Sequence, residues 1–148
     1  MIHPKEKNIH ADYMATLLSQ FLFDVLENGK WVETQNYTDD SIEYQVYIEF
    51  MECVEHNFKK LHTTASYVEL LSPSLSTLNK YITHVSGKTP ARLINERIVL
   101  EAKRMLYERT DMRINEIAYD LGFKDNSNFV KFFKSHVGMP PIEFRKKL

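Results

Sequence analysis

Two small groups of polar and basic residues carry the most specific chemistry in the chain. One comprises Ser76, Thr77, Asn79, Lys80 and Thr83, the other Asn126, Ser127, Asn128, Lys131 and Lys134. An Asn amide can pair with both edge groups of adenine, a Lys can approach the guanine edge, and Ser or Thr hydroxyls serve bases or phosphates, so both groups suit base edges in a DNA major groove. By residue type alone they suit a solvent-facing helix surface equally well. What gives them weight is the arrangement around each, because the same unit occurs twice.

The periodicity that must position these residues is helical throughout, and no stretch alternates as a strand for more than a few residues. The spacing predicts a first helix over residues 10–26. Within its apolar stripe, Met14, Leu18, Phe21 and Val25 keep a four-three-four spacing suited to pairing with another helix. A polar, acidic linker over 30–41 follows, closed by a capping box of Asp40 and Glu43. The next helix aligns Tyr47, Phe50, Met51, Val54 and Phe58 on one face, with Cys53 beside it.

Beyond Lys60 the elements shorten. A helix over 65–71 meets Ser72 and Pro73; Ser74 then caps a helix with Leu75, Leu78, Ile82 and Val85 inward, stopped by Gly87. Pro90 opens a connecting helix whose inner stripe is Ile94, Ile98, Ala102, Met105 and Leu106. The short-helix, turn, helix pattern then returns, with Ile114, Ile117, Ala118 and Leu121 before Gly122, and Phe129, Phe132, Phe133 and Val137 before Gly138. The expected fold is therefore all-α: an N-terminal helix, then two helix-turn-helix units (about 64–87 and 112–138) joined by a connecting helix over about 89–109. Such a connector, at about 1.5 Å per residue, matches the order of one duplex turn, about 34 Å. Helix N-termini at Ser74 and Asn126 are expected to offer backbone donors to phosphates.

Charge follows the same division. Of 19 Lys and Arg and 20 Asp and Glu, the residues up to Ser72 hold 5 and 12, and the remainder 14 and 8. Only the second part is electrostatically suited to a polyanion. Enzyme readings find little support: the six histidines are scattered, no phosphate-binding glycine loop or zinc-binding His motif occurs, and a single cysteine forms neither an internal disulfide nor a thiolate cluster. No cofactor or metal site, signal peptide or membrane span is expected, and the expected location is cytoplasmic.

The run Gly122-Phe123, Ser127, Phe129, Phe133-Lys134, Gly138, Pro141 and Phe144-Arg145 resembles the signature of the AraC/XylS transcription regulators. Leu78, the Ser86-Gly87-Lys88 turn, Arg97, Ala102 and Leu106 resemble the first half of the same domain. The resemblance covers about Tyr47 to Leu148. It implies a bacterial, sequence-specific DNA-binding domain over 42–148 whose two reading helices enter adjacent major grooves. By position, Ser76, Thr77, Asn79 and Lys80, and Asn126, Ser127, Asn128 and Lys131, fall where the family's reading helices meet bases.

Pro73, Val68 and Pro140 depart from the family pattern, so the first unit is the weaker match. Most members also carry an upstream sensor domain. Residues 1–41 resemble instead the helical segment that ends such a sensor, making the chain a fragment or a naturally short member and a candidate homodimer. Activation would add RNA polymerase as a partner, which no residue here specifies. The rival reading is a protein-binding module that has lost DNA binding; basic residues kept outward on both reading helices argue against it.

Overall fold

The computed structural model describes residues 41–148. The helix expected over 10–26, its pairing seam and the linker up to residue 40 lie outside these residues. Seven helices follow in order: α1 (Ile42–Asn57), α2 (Thr64–Val68), α3 (Leu75–Ser86), α4 (Pro90–Glu108), α5 (Ile114–Asp120), α6 (Asn126–Val137) and α7 (Pro141–Lys146). No strand occurs among the described residues.

The central element is α4. Pro90 stands in its first turn, where a missing N–H leaves no bond unmade, and Thr89 Oγ1 accepts the Arg92 N–H. Its inner stripe of Ile94, Ile98, Ala102, Met105 and Leu106 is buried as the periodicity predicts. Helices α1, α2 and α3 pack on one part of it, and α5, α6 and α7 on another. The first half buries Phe50, Val54, Phe58, Tyr67, Leu78 and Ile82; the second buries Ile117, Ala118, Leu121, Phe129 and Phe133. Full burial of each large apolar side chain contributes about 1.5–3 kcal/mol, so these stripes decide the architecture over local propensity.

Three expectations need correction. The start of α1 is capped by Ser41, whose Oγ accepts the Tyr44 N–H at 3.2 Å; Glu43 instead meets His84 Nδ1 at 2.5 Å. Helix α2 ends at Val68, not Leu71, because the N–H groups of Leu70 and Leu71 both converge on the Tyr67 carbonyl in a closing turn before Pro73. Leu75, expected inward, is 46% exposed. It is the first residue of α3, and a helical side chain leans toward the N-terminus, where here no earlier turn lies beneath it. Helix α6 starts at Asn126 as expected, and its cap is Asp125, whose side chain accepts the Asn128 N–H.

The two halves repeat position by position. Ser74 corresponds to Asp125 as cap, Ser76 to Ser127, Leu78 to Phe129, Lys80 to Lys131, Ile82 to Phe133, Thr83 to Lys134, Gly87 to Gly138 and Pro90 to Pro141. Both reading helices have 12 residues, and both are followed by a left-handed glycine, at φ 68° and 85°. A left-handed residue there lets the chain turn back toward the core.

Candidate nucleic-acid interface

Successive helical residues are rotated by about 100°, so positions i, i+4 and i+7 share a face. In α3 that rule groups Ser76, Lys80 and Thr83, opposite the buried Leu78 and Ile82; in α6 it groups Ser127, Lys131 and Lys134, opposite Phe129 and Phe133. All six outward residues are exposed. Lys80, Lys131 and Lys134 form no ion pair or hydrogen bond among the described residues, which leaves their ammonium groups available to an outside anion.

The remaining sequence-derived candidates are more engaged. Thr77 is half-buried, and its Oγ1 lies 3.0 Å from Ser74 Oγ, which also takes the Thr77 N–H. Asn79 is half-buried and donates Nδ2 to the Leu75 carbonyl at 2.9 Å. Adenine recognition by its amide would require that back-bond to break. Asn128 is exposed but donates Nδ2 to Asp125 Oδ2 at 2.8 Å, while its N–H goes to Asp125 Oδ1 at 2.7 Å. Asn126 and Ser127 are exposed without such side-chain bonds. The structure thus divides the ten candidates: Ser76, Lys80, Thr83, Asn126, Ser127, Lys131 and Lys134 stand outward and unengaged, whereas Thr77, Asn79 and Asn128 are tied to their own helices.

Two exposed basic residues near the second unit escaped the sequence reading. Lys124 lies in the turn just before Asp125, and Arg113 at the start of α5. The legible signal was a basic residue at or directly before a helix cap, where phosphate-directed donors gather.

Behind the reading helices, other basic groups are structural. Arg97 stacks its guanidinium over the Phe58 ring at 3.9 Å and grips Glu55 through two bonds of 2.6 and 2.8 Å. This bonding holds the Glu55 carboxyl below its usual range. Glu101 is 7% exposed, and Arg104 answers its charge with bonds of 2.6 and 3.1 Å, which likewise lower its pKa. Arg104 also pairs with Glu108. Arg145 donates to the carbonyls of Leu106, Arg109 and Met112, so one cation ties the C-terminal end of α4 to the turn that follows it. None of these arginines is free to serve a ligand without undoing the packing.

The second unit is anchored by Gly122. Its φ of 80° already favours glycine, and a Cβ there would land on the Lys59 carbonyl oxygen, well inside van der Waals contact. Beside it, His62 Nε2 donates to the Leu121 carbonyl at 2.9 Å; a carbonyl only accepts, so that nitrogen carries the proton. Burial holds the His62 pKa below its usual value, against the opposing pull of the Leu121 and Phe58 carbonyls. No group of three metal-ligating side chains occurs among the described residues, and none of the described helices is long and apolar enough to cross a membrane.

Residues 67–147 match the family described as a helix-turn-helix domain. Among curated proteins, the chain is similar to the HTH-type transcriptional activator RhaS of Mannheimia succiniciproducens, at 33% identity over 62% of this chain and 34% of that protein. It is also similar to RhaS of an Enterobacter species, at 29% identity over 66% and 35%. The chain therefore spans about a third of the length of these relatives. Among solved structures, the C-terminal domain of AraT, a response regulator from Geobacillus stearothermophilus, superposes with a TM-score of 0.66 at 24% identity, covering 73% of this chain and 89% of that one. The DNA-binding domain of AdpA, solved in complex with a target DNA, gives 0.60 at 20% identity, covering 68% and 90%. With the repeated helix-turn-helix geometry and the second-half signature in place, the chain belongs to the AraC/XylS family.

Proposed function

We propose that the protein is a transcription regulator that binds double-stranded DNA in the bacterial cytoplasm through residues 42–148, placing α3 and α6 in adjacent major grooves. The observation that carries this reading is the matched outward face on two helices in equivalent positions, Ser76, Lys80 and Thr83 on one and Ser127, Lys131 and Lys134 on the other. The 19 residues of α4 extend about 28 Å, close to the 34 Å between successive major-groove faces on one side of a duplex.

In this reading Lys80, Lys131 and Lys134 supply attraction and base or phosphate contacts, with Lys124 and Arg113 adding phosphate contacts. Ser76, Thr83, Asn126 and Ser127 meet bases or backbone directly. Thr77, Asn79 and Asn128 join them by exchanging their intrahelical bonds for bonds to DNA. No step here calls for a metal or cofactor. The Met14 to Val25 seam supplies dimerisation, bringing two such domains to paired half-sites, and an activating role would add contact with RNA polymerase.

Selection from a random duplex pool, followed by a salt titration on the recovered sequence, tests the proposal. The expected result is a motif with two contacted blocks about one helical turn apart and an affinity that falls with salt at about −0.9 per phosphate contacted on a log–log scale. Salt-sensitive binding with a single block would remove the two-groove mechanism. Absence of binding at low salt would favour a protein-binding role.

A further inference from the structure

Helix α4 runs through both halves, but a shared helix alone does not fix how far one half is rolled about its axis relative to the other. A second line of contact does. The segment following α1 meets the end of α5 and the turn after it at four points: Lys59 Nζ pairs with Asp120 Oδ2 at 2.6 Å, His62 Nε2 donates to the Leu121 carbonyl at 2.9 Å, the Lys59 carbonyl closes on Gly122, and the His62 ring lies 4.8 Å from that of Phe123.

Each side of this seam is tied to a reading unit. Leu61 accepts the Tyr67 hydroxyl at 3.0 Å, which joins the seam to α2 and, through the edge-on Phe50 and Tyr67 rings, to the first core. The Phe123 ring packs at a tilt against those of Phe129 at 5.3 Å and Phe132 at 5.2 Å, both in α6. A continuous path of packed groups therefore leads from the first helix-turn-helix to the second reading helix without passing through α4.

The seam is also directional in a way that a merely apolar contact would not be. The hydrogen bond to Leu121 requires one ring orientation, and the Gly122 approach tolerates no side chain, so sliding or rolling either half would break both. Leu121 closes the C-terminal end of α5, where a carbonyl lacks an intrahelical partner, and His62 supplies it.

We infer that the contact of Lys59 and His62 with residues 120–123 is a clamp that fixes the rotation and separation of the two reading helices, with His62 as its positioning residue, so that the protein selects DNA by half-site spacing as well as by sequence. This inference rests on the DNA-binding reading above. One inserted base pair turns the second site by about 34° and moves it by about 3.4 Å, a mismatch that a rigid pair of helices cannot follow.

The test measures binding of the full chain to its selected duplex and to the same duplex with one base pair inserted between the two blocks. For the unaltered protein the insertion is expected to weaken binding by about tenfold or more, comparable to a base mismatch. For His62→Ala the penalty should shrink to about threefold or less, although binding to the original duplex also weakens. The exposed pair Lys59→Ala with Asp120→Ala provides a variant with little risk to folding and should shift the penalty in the same direction. An insertion penalty unchanged in both variants would overturn the positioning role. Residual dipolar couplings of the DNA-free protein supply an independent arm: the two halves should share one alignment tensor in the unaltered chain and show two in His62→Ala. Two tensors in the unaltered chain would overturn the clamp itself, whereas one tensor with no DNA binding would sink the DNA reading and leave the clamp standing.

Discussion

The two helix-turn-helix units use the same spacing of buried and outward residues but make their turns and caps differently. In the first, the position equivalent to Gly122 is held by Leu71, half-buried, and the turn passes through Pro73 to a neutral Ser74 cap. In the second, Gly122 is pressed against the Lys59 carbonyl, and the cap is the carboxylate of Asp125. The repeat therefore preserves the reading surface and the glycine and proline that follow it, while the turn that precedes it has diverged. The second unit presents two lysines where the first presents one lysine and a threonine.

The strongest way to break this comparison is Gly122→Ala against Gly87→Ala. Both positions have positive φ, which costs an L residue about 1–2 kcal/mol, but nothing lies within 4 Å of a Cβ at Gly87. Thermal or denaturant unfolding should show a loss of about 3 kcal/mol or more at Gly122 and about 1 kcal/mol at Gly87. Equal losses would mean that the Lys59 backbone simply moves aside.

Next in size are the reading helices. Lys131→Ala should weaken binding at the preferred site by about 1–3 kcal/mol and relax preference at one base position, with Lys80→Ala doing the same in the other block. A uniform loss on every duplex would reassign either lysine to phosphate. The caps give a smaller effect. Asn serves as well as Asp at a helix cap, so Asp125→Asn should leave stability within about 0.5 kcal/mol while removing a negative charge near the DNA backbone, tightening binding by about 0.2–1 kcal/mol. Ser74→Asp should do the reverse in the first unit, which direct titration at fixed salt can decide.

The last prediction concerns pH. Because burial lowers the His62 pKa from 6.5, the unfolded chain binds a proton before the folded one does. Stability is fully present above pH 6.5 and declines as pH falls below it toward the folded value. Chemical denaturation across pH 5 to 7 should show this slope, and His62→Gln should flatten it. A slope retained in that variant would locate the proton elsewhere.

Much of the architecture was legible because it is written in local periodicity and punctuation. Pro90, Gly87, Gly122 and Gly138 mark boundaries by backbone chemistry alone, and the stripes of α4 and α6 need only a 3.6-residue period. The outward sets on α3 and α6 follow from the same period by subtraction. What escaped are contacts between distant parts of the chain. Nothing around His62 announces a bond to a carbonyl 59 positions later, nor around Arg145 its role at the end of α4. Likewise, the amide of Asn79 reads as free until its back-bond to Leu75 is seen.

The three carbonyls gathered by Arg145 bear on biosynthesis. Leu106 and Arg109 emerge from the ribosome well before the residue that satisfies them, separated from it by 39 and 36 positions. Everything the first half needs, from α1 through most of α4, has been made by then, so that half is expected to close before the end of the connector gains its bonds from Arg145. Synthesis of the final helix then converts a loose stem into a finished one. A translational pause or a cleavage before Arg145 would leave a folded first reading unit beside an unfinished second.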